Sequence, residues 1–149
     1  MLRKKIHRVC VYILDSERKS ILLWRAPDGP FANQFMPIYA EINDMETPVE
    51  TIRNQVSQLI TLDFQFIGHV PSMPIVLDEC SIKLASPLHL QMTVVDDTDF
   101  VDYVYLAQSK VDPDLSLENR LGWFSQTDLK ESPNHVKHVV HQIIALMNG

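Results

Sequence analysis

The residue pattern predicts a mixed α/β (α+β) layer fold, organised as a single domain over residues 1–149. Three observations predict it: period-2 apolar alternation near the start and again beyond the middle, a capped amphipathic segment between those stretches, and a second amphipathic segment at the end. With 149 residues, 46% of them hydrophobic, such a chain buries about two-thirds of its unfolded surface without staples, which excludes a disordered tail.

Val9, Val11 and Ile13 alternate with Arg8, Cys10 and Tyr12, a strand that ends at the polar turn Asp15–Ser20. The apolar run Ile21–Trp24 follows closely, so the first two elements read as a hairpin. Arg25-Ala26-Pro27-Asp28-Gly29-Pro30 breaks regular structure and is long enough to cover a site, before another strand from Phe35 to Ile42. At Thr47-Pro48-Val49-Glu50, Thr suits a helix cap, Pro the first turn and Glu the third position of a capping box. Val49, Ile52, Val56, Leu59 and Ile60 then form one apolar face, with Arg53, Asn54, Ser57 and Gln58 elsewhere on the helix. Phe64 and Phe66 read as a strand extending toward Val70, stopped by Pro71 and Pro74. A second hairpin joins Leu88, Leu90, Met92 and Val94, alternating with His89, Gln91, Thr93 and Val95, to Val101, Tyr103 and Tyr105, alternating with Asp102, Val104 and Leu106. Finally Val136, Val139, Val140, Ile143, Ile144 and Met147 mark a helix with Asn134 as its cap and Gly149 at its end.

Charge narrows the function classes. Thirteen Lys and Arg against 19 Asp and Glu give a net charge of −6, which argues against nucleic-acid binding by bulk charge. Arg3, Lys4, Lys5 and Arg8 read as a solvated basic end. The apolar run Val9–Leu14 is too short for a signal peptide, and nothing approaches the ~20 apolar residues of a bilayer span, so no membrane partner and a cytoplasmic location are expected. Cys10 and Cys80 lack any CxxC spacing and read as small buried hydrophobes. The tip Asp96-Asp97-Thr98-Asp99 offers oxygen ligands for a hard cation, but without a calcium loop's Gly and distal Glu a solvated turn is the better reading. His135, His138 and His141 recur every three residues without an i,i+4 pair, which reads as a solvated helix flank and not as a metal site.

The order strand, turn, strand, Arg-Ala-Pro loop, strand, capped helix resembles the Nudix hydrolase superfamily. The likeness runs from Ile21-Leu22-Leu23-Trp24-Arg25-Ala26-Pro27 through Phe35–Ile42 to Glu46-Thr47-Pro48 and the helix beyond. It continues more weakly through Gly122-Trp123-Phe124, Thr127-Asp128-Leu129 and the segment after Pro133. The family's signature is a Gly, five residues, a Glu, seven residues, then Arg-Glu-apolar-any-Glu-Glu-any-Gly-apolar. Laid on this chain without a gap, it starts at Ala40 and ends at Leu62. Its first Gly falls on Ala40, and its first Glu is kept as Glu46; the Arg falls on Asn54, the next Glu on Gln55, the paired glutamates on Gln58 and Leu59, and the later Gly on Thr61. The resemblance implies an α/β/α sandwich around a mixed sheet. It also implies a diphosphate-cleaving site whose glutamates hold divalent cations.

This chain keeps the scaffold positions and lacks most of the acids. Amide oxygens at Gln55 and Gln58 are neutral and Leu59 offers no ligand, so each lost carboxylate removes Coulomb attraction on the scale of ~4 kcal/mol per charge pair near a surface. The expected function is therefore binding of a nucleotide-like ligand or a protein partner without catalysis, with no cofactor. The alternative is a divergent hydrolase of nucleoside diphosphate-linked substrates. It would use Mg²⁺ or Mn²⁺ on relocated acids drawn from Glu41, Asp44, Glu46, Glu50, Asp96, Asp97 and Asp99. Glu46 is the one candidate catalytic residue, although it also suits a helix N-terminus through the macrodipole. Arg25, Tyr39, Gln55 and Gln58 are the candidate ligand-binding residues. Arg25 could hold a phosphate and Trp24 stack on a base, or both could serve pairing and packing alone. Gln55, Gln58 and Leu59 stand at i, i+3 and i+4, which equally suits a solvated edge beside a core leucine. A homodimer is a further expectation, because homodimers are common among the proteins this chain resembles.

Overall fold

A computed structural model describes residues 2–68, 75–83 and 87–148, with backbone alone at 75, 82 and 83. The elements run β1 (Lys4–Leu14), β2 (Ile21–Arg25), β3 (Phe35–Met36), β4 (Ile38–Glu41), α1 (Pro48–Leu59), β5 (Phe64–Phe66), β6 (Ile75–Val76), β7 (Ile82–Lys83), β8 (His89–Val95), β9 (Thr98–Ser109), β10 (Leu121–Phe124) and α2 (Asn134–Asn148). The main sheet follows the order β10-β2-β1-β9-β5, with β3 on β2, β4 on β1 and β8 on β9, while β6 and β7 pair by themselves. It is mixed: β1 and β9 run parallel from Lys4↔Thr98 to Leu14↔Gln108, and the other pairings are antiparallel.

Both predicted hairpins form. In the first, Asp15 Oδ1 accepts from the backbone N–H groups of Lys19 and Ser20 and closes the turn before β2. In the second, Val95 pairs with Thr98 and Asp96 takes a positive φ of 52°, a left-handed conformation that Asp tolerates in tight turns. The expected strand Phe35–Ile42 is instead two short pieces on different neighbours, β3 on β2 and β4 on β1, divided at Pro37, which has no N–H to donate to a ladder. Val70, Pro71 and Pro74 lie outside the described residues.

β1 departs from apolar-in, polar-out alternation, since every residue from Arg8 to Leu14 is buried. Helices on both faces of the sheet explain it. Phe66 packs on Tyr105 of β9, and Arg53 of α1 lies over the Phe64 and Phe66 rings, so α1 flanks that face. On the other face His135 of α2 shares a small cavity with Cys10, Tyr12, Gln91 and Asp102. Val9, Val11, Ile13, Ile38, Val49, Ile52, Val56, Val104, Val136, Val140 and Ile143 are all at most 5% exposed and form the core around this sheet.

α1 begins as expected: Thr47 is the cap, its Oγ1 accepts from the Glu50 N–H at 3.3 Å, and Pro48 opens the helix. Glu50 closes the box on the Thr47 hydroxyl, which donates to Glu50 Oε1 at 2.9 Å. Leu59 corrects the reading of a core position, because it is 37% exposed at the helix's last turn. α2 starts at its expected cap, Asn134, so the capping position falls one residue earlier, on Pro133. The carbonyl of Pro133 accepts the first helical bond from Lys137, and Asn134 lies within the helix. Cys10 is buried as expected and Cys80 is exposed. Among the described residues no helix is long and apolar enough to cross a membrane.

Candidate functional site

A cavity of about 460 Å³ opens where β1, β2, β4, β9 and the loop after β2 meet α1. Its size falls within the usual range of small-molecule sites. The wall includes Arg8 of β1, Trp24 of β2, Tyr39 and Glu41 of β4, Gln55 of α1 and Phe100 of β9, with Pro27, Asp28 and Gly29 from the loop. The loop is held by main-chain bonds between Ala26 and Asn33 and between Ala26 and Gln34. Tyr39 Oη donates to the Asp28 carbonyl at 3.3 Å and fastens the loop to the wall. Gly29 has φ +81°, a conformation that glycine adopts without the steric cost of a side chain.

Arg8 is the central feature of this wall and corrects the solvated basic end: it is only 7% exposed. Its Nε donates to Asp102 Oδ1 at 2.8 Å and its Nη2 to Asp102 Oδ2 at 3.0 Å, a bidentate pair. The guanidinium carbon lies 4.8 Å from the Tyr39 ring centroid and 4.3 Å from that of Phe100. Both the strong charge-assisted bonds and the ring contacts desolvate and immobilise this cation. Burial, with Asp28 nearby, pushes the Tyr39 hydroxyl above its ordinary pKa, against the opposing pull of Arg8.

Trp24 is 6% exposed and meets Tyr39 edge-on, with centroids 5.2 Å apart and planes at 79°. Its Nε1 has no hydrogen-bond partner among the described residues, an exception for a buried indole.

The other sequence-predicted residues lie apart from one another. Tyr39 and Gln55 line the cavity. Gln58 is exposed farther along α1. Arg25 turns to structural work: Nη1 donates to the Asn33 carbonyl at 2.9 Å, the guanidinium covers the Phe35 ring at 4.4 Å, and Nη2 lies 3.7 Å from Glu131. Glu46 folds back on α1, accepting from Thr51 Oγ1 at 3.3 Å and from the Asn54 amide.

The expected solvated turn at the second hairpin holds for Asp96 and Asp97, which are exposed, but not for Asp99, which is 6% exposed. Arg3 pairs with Asp99 at 2.8 Å and holds that carboxyl below the usual range, while Thr98 Oγ1 donates to Asp97. Arg3 itself stays exposed, as expected of the basic end. His135 corrects the solvated histidine flank: it is half-buried, its ring lies 5.0 Å from Phe31, and burial pushes its pKa below the ordinary value. His138 and His141 are exposed as expected.

The donor set does not fit the cation cluster that the resemblance implies. Glu46 is the one carboxylate among the box's acid positions and is engaged with Thr51 and Asn54. Among the described residues no three His, Cys, Asp or Glu side chains gather where an ion could be held.

Sequence reasoning missed Arg8 and Asp102 as a pair and missed Phe100 altogether. Single charged residues inside strand-like apolar runs were the available signal, because a strand interior rarely accepts an unpaired charge.

No family model matches the chain, and no curated protein matches it in sequence. Solved structures do. A Nudix-family hydrolase from Clostridium perfringens is 19% identical with a TM-score of 0.67, the match covering 95% of this chain and 97% of that one. A MutT protein from Methanosarcina mazei Go1 is 14% identical with a TM-score of 0.66, covering 100% of this chain and 99% of that one. The Ap4A hydrolase of C. elegans is 12% identical with a TM-score of 0.63, covering 100% of both chains. Together with the mixed sheet and its two flanking helices, these likenesses show that the chain has the Nudix hydrolase fold.

Proposed function

We propose that this Nudix-fold protein binds a nucleotide-like ligand in the cavity beside Arg8 and Trp24 and does not perform metal-dependent diphosphate hydrolysis. The state of the box carries the reading: Glu46 is tied to Thr51 and Asn54, and Gln55, Gln58 and Leu59 take the remaining acid positions. A divalent ion loses hydration on binding and regains it energetically through anionic oxygens. One engaged carboxylate and two neutral amides supply little of that. Of the relocated acids, Glu50 is taken up with Thr47 and Asp99 with Arg3, and Glu41 at the cavity belongs to no group of three possible ligand side chains among the described residues.

The test is phosphate release with Mg²⁺ or Mn²⁺ across nucleoside triphosphates, nucleotide sugars and dinucleoside polyphosphates. No turnover above background is expected, and robust turnover would overturn the reading. As a companion, the variant Gln55→Glu, Gln58→Glu, Leu59→Glu should gain Mn²⁺ affinity by calorimetry over the parent chain. Leu59 and Gln58 are exposed, so those two added carboxylates cost little in folding.

A second copy of the chain is the partner we propose for the exposed apolar side of β8, where Leu90, Met92 and Val94 are each more than half exposed.

A further inference from the structure

Resting on the ligand-binding reading above, we propose that the cavity selects an uncharged planar heterocycle, a nucleoside or its base, and rejects the same group once it carries phosphate. Three side chains of the wall bear formal charge: Arg8, Asp28 and Glu41. Arg8 is the only cation, and it is neutralised by Asp102 through two bonds of 2.8 and 3.0 Å. Two aromatic rings lie against the guanidinium as well, and its charge is already compensated by Asp102 before an anion arrives. The charges that remain are the carboxylates of Asp28 and Glu41, neither of which forms an ion pair with a described residue. Phosphate groups entering this space meet like charge at two exposed carboxylates, a repulsion that added salt screens.

The uncharged features of the wall point the same way. Trp24, Tyr39 and Phe100 present π-surface, against which a flat base stacks irrespective of its sequence identity. Trp24 Nε1 has almost no accessible surface, so Trp24 offers a ligand its ring and not a hydrogen bond. Gln55 adds an amide that both donates and accepts, suited to the edge of a base. An uncharged heterocycle uses all of these and places no charge against the two carboxylates.

The experiment is calorimetric titration of the full chain, without divalent metal and at low salt, using adenosine, guanosine, cytidine and uridine and the 5′-mono- and triphosphate of each. At least one nucleoside should bind tenfold or more tightly than its monophosphate, with its triphosphate weaker still, and added salt should narrow the gap. Asp28→Asn with Glu41→Gln, two exposed positions, should bring the phosphorylated forms to within about threefold of the nucleoside, as loss of like-charge repulsion requires. Trp24→Leu removes the ring while keeping an apolar side chain, and should weaken the nucleoside about tenfold, in line with a lost stacking surface. Phosphorylated forms binding as well as or better than the nucleoside would overturn this selectivity and leave ligand binding in place. Binding by none of the probes would overturn both readings.

Discussion

At the scale of single residues, Arg8 and Asp102 determine the character of the cavity wall. Both side chains are less than a tenth exposed, so each charge depends on the other for compensation. Asp102→Ala leaves a buried guanidinium unpaired and should cost about 3–5 kcal/mol in urea unfolding, whereas the double change Arg8→Met with Asp102→Leu should recover most of that loss. His135 gives a pH signature from the same region. Burial disfavours its charged form most strongly, Asp102 favours that form, and Arg8 opposes it. Its folded pKa therefore lies below the ordinary 6.5, and as pH falls below that value the unfolded chain takes up the proton first. The stability contributed by the neutral imidazole is full above pH 6.5 and is lost as pH falls through the folded value. A melting series should show wild type losing stability relative to His135→Gln between neutral and mildly acidic pH; a constant difference would contradict this.

At the scale of elements, α1 was the most legible from sequence because its signals are local. A cap, a proline and an apolar stripe lie within a few turns of one another, and each acts through its own backbone neighbours. Thr47→Ala removes the acceptor of the Glu50 N–H and should lower stability by about 1 kcal/mol, with amide exchange rising first in the opening turn of α1. Its two ends were not equally legible. Leu59 continues the helical stripe in sequence, yet it stands in the last turn and is 37% exposed. The expected strand Phe35–Ile42 failed at Pro37 for a similar reason: alternation describes which side chains face together, but it does not say which neighbouring strand supplies hydrogen bonds. The period-2 pattern of β8 was read correctly as a strand, yet its apolar side is the exposed one, and its other side carries His89 and Gln91 toward α2.

At the scale of the whole molecule, that exposed side of β8 sets three large apolar side chains in a row outside the core. Leu90, Met92 and Val94 are 57–62% exposed along β8, Leu88 just before it is 44% exposed, and β8 carries no Lys, Arg, Asp or Glu to discourage pairing. Sedimentation analysis should show a dimer that Leu90→Lys with Met92→Lys converts to monomer without changing the melting temperature by more than a few degrees. A monomeric parent chain would refute it. The cavity also belongs to this scale, because its wall draws on four strands, a loop and a helix that are far apart in the chain.

By itself the sequence determined the layered fold, the two hairpins, the capped helix and the presence of Gln55, Gln58 and Leu59 where the resemblance implies glutamates. Those follow from periodicity, turn chemistry and residue identity, which act over a few neighbouring residues. Only the tertiary structure decided that Arg8 is buried against Asp102, that Glu46 is drawn back onto α1, and that Trp24 Nε1 is buried without a partner among the described residues. Charge compensation and burial depend on residues such as Arg8 and Asp102, which are brought together by the parallel register of β1 and β9 and not by their spacing in the chain.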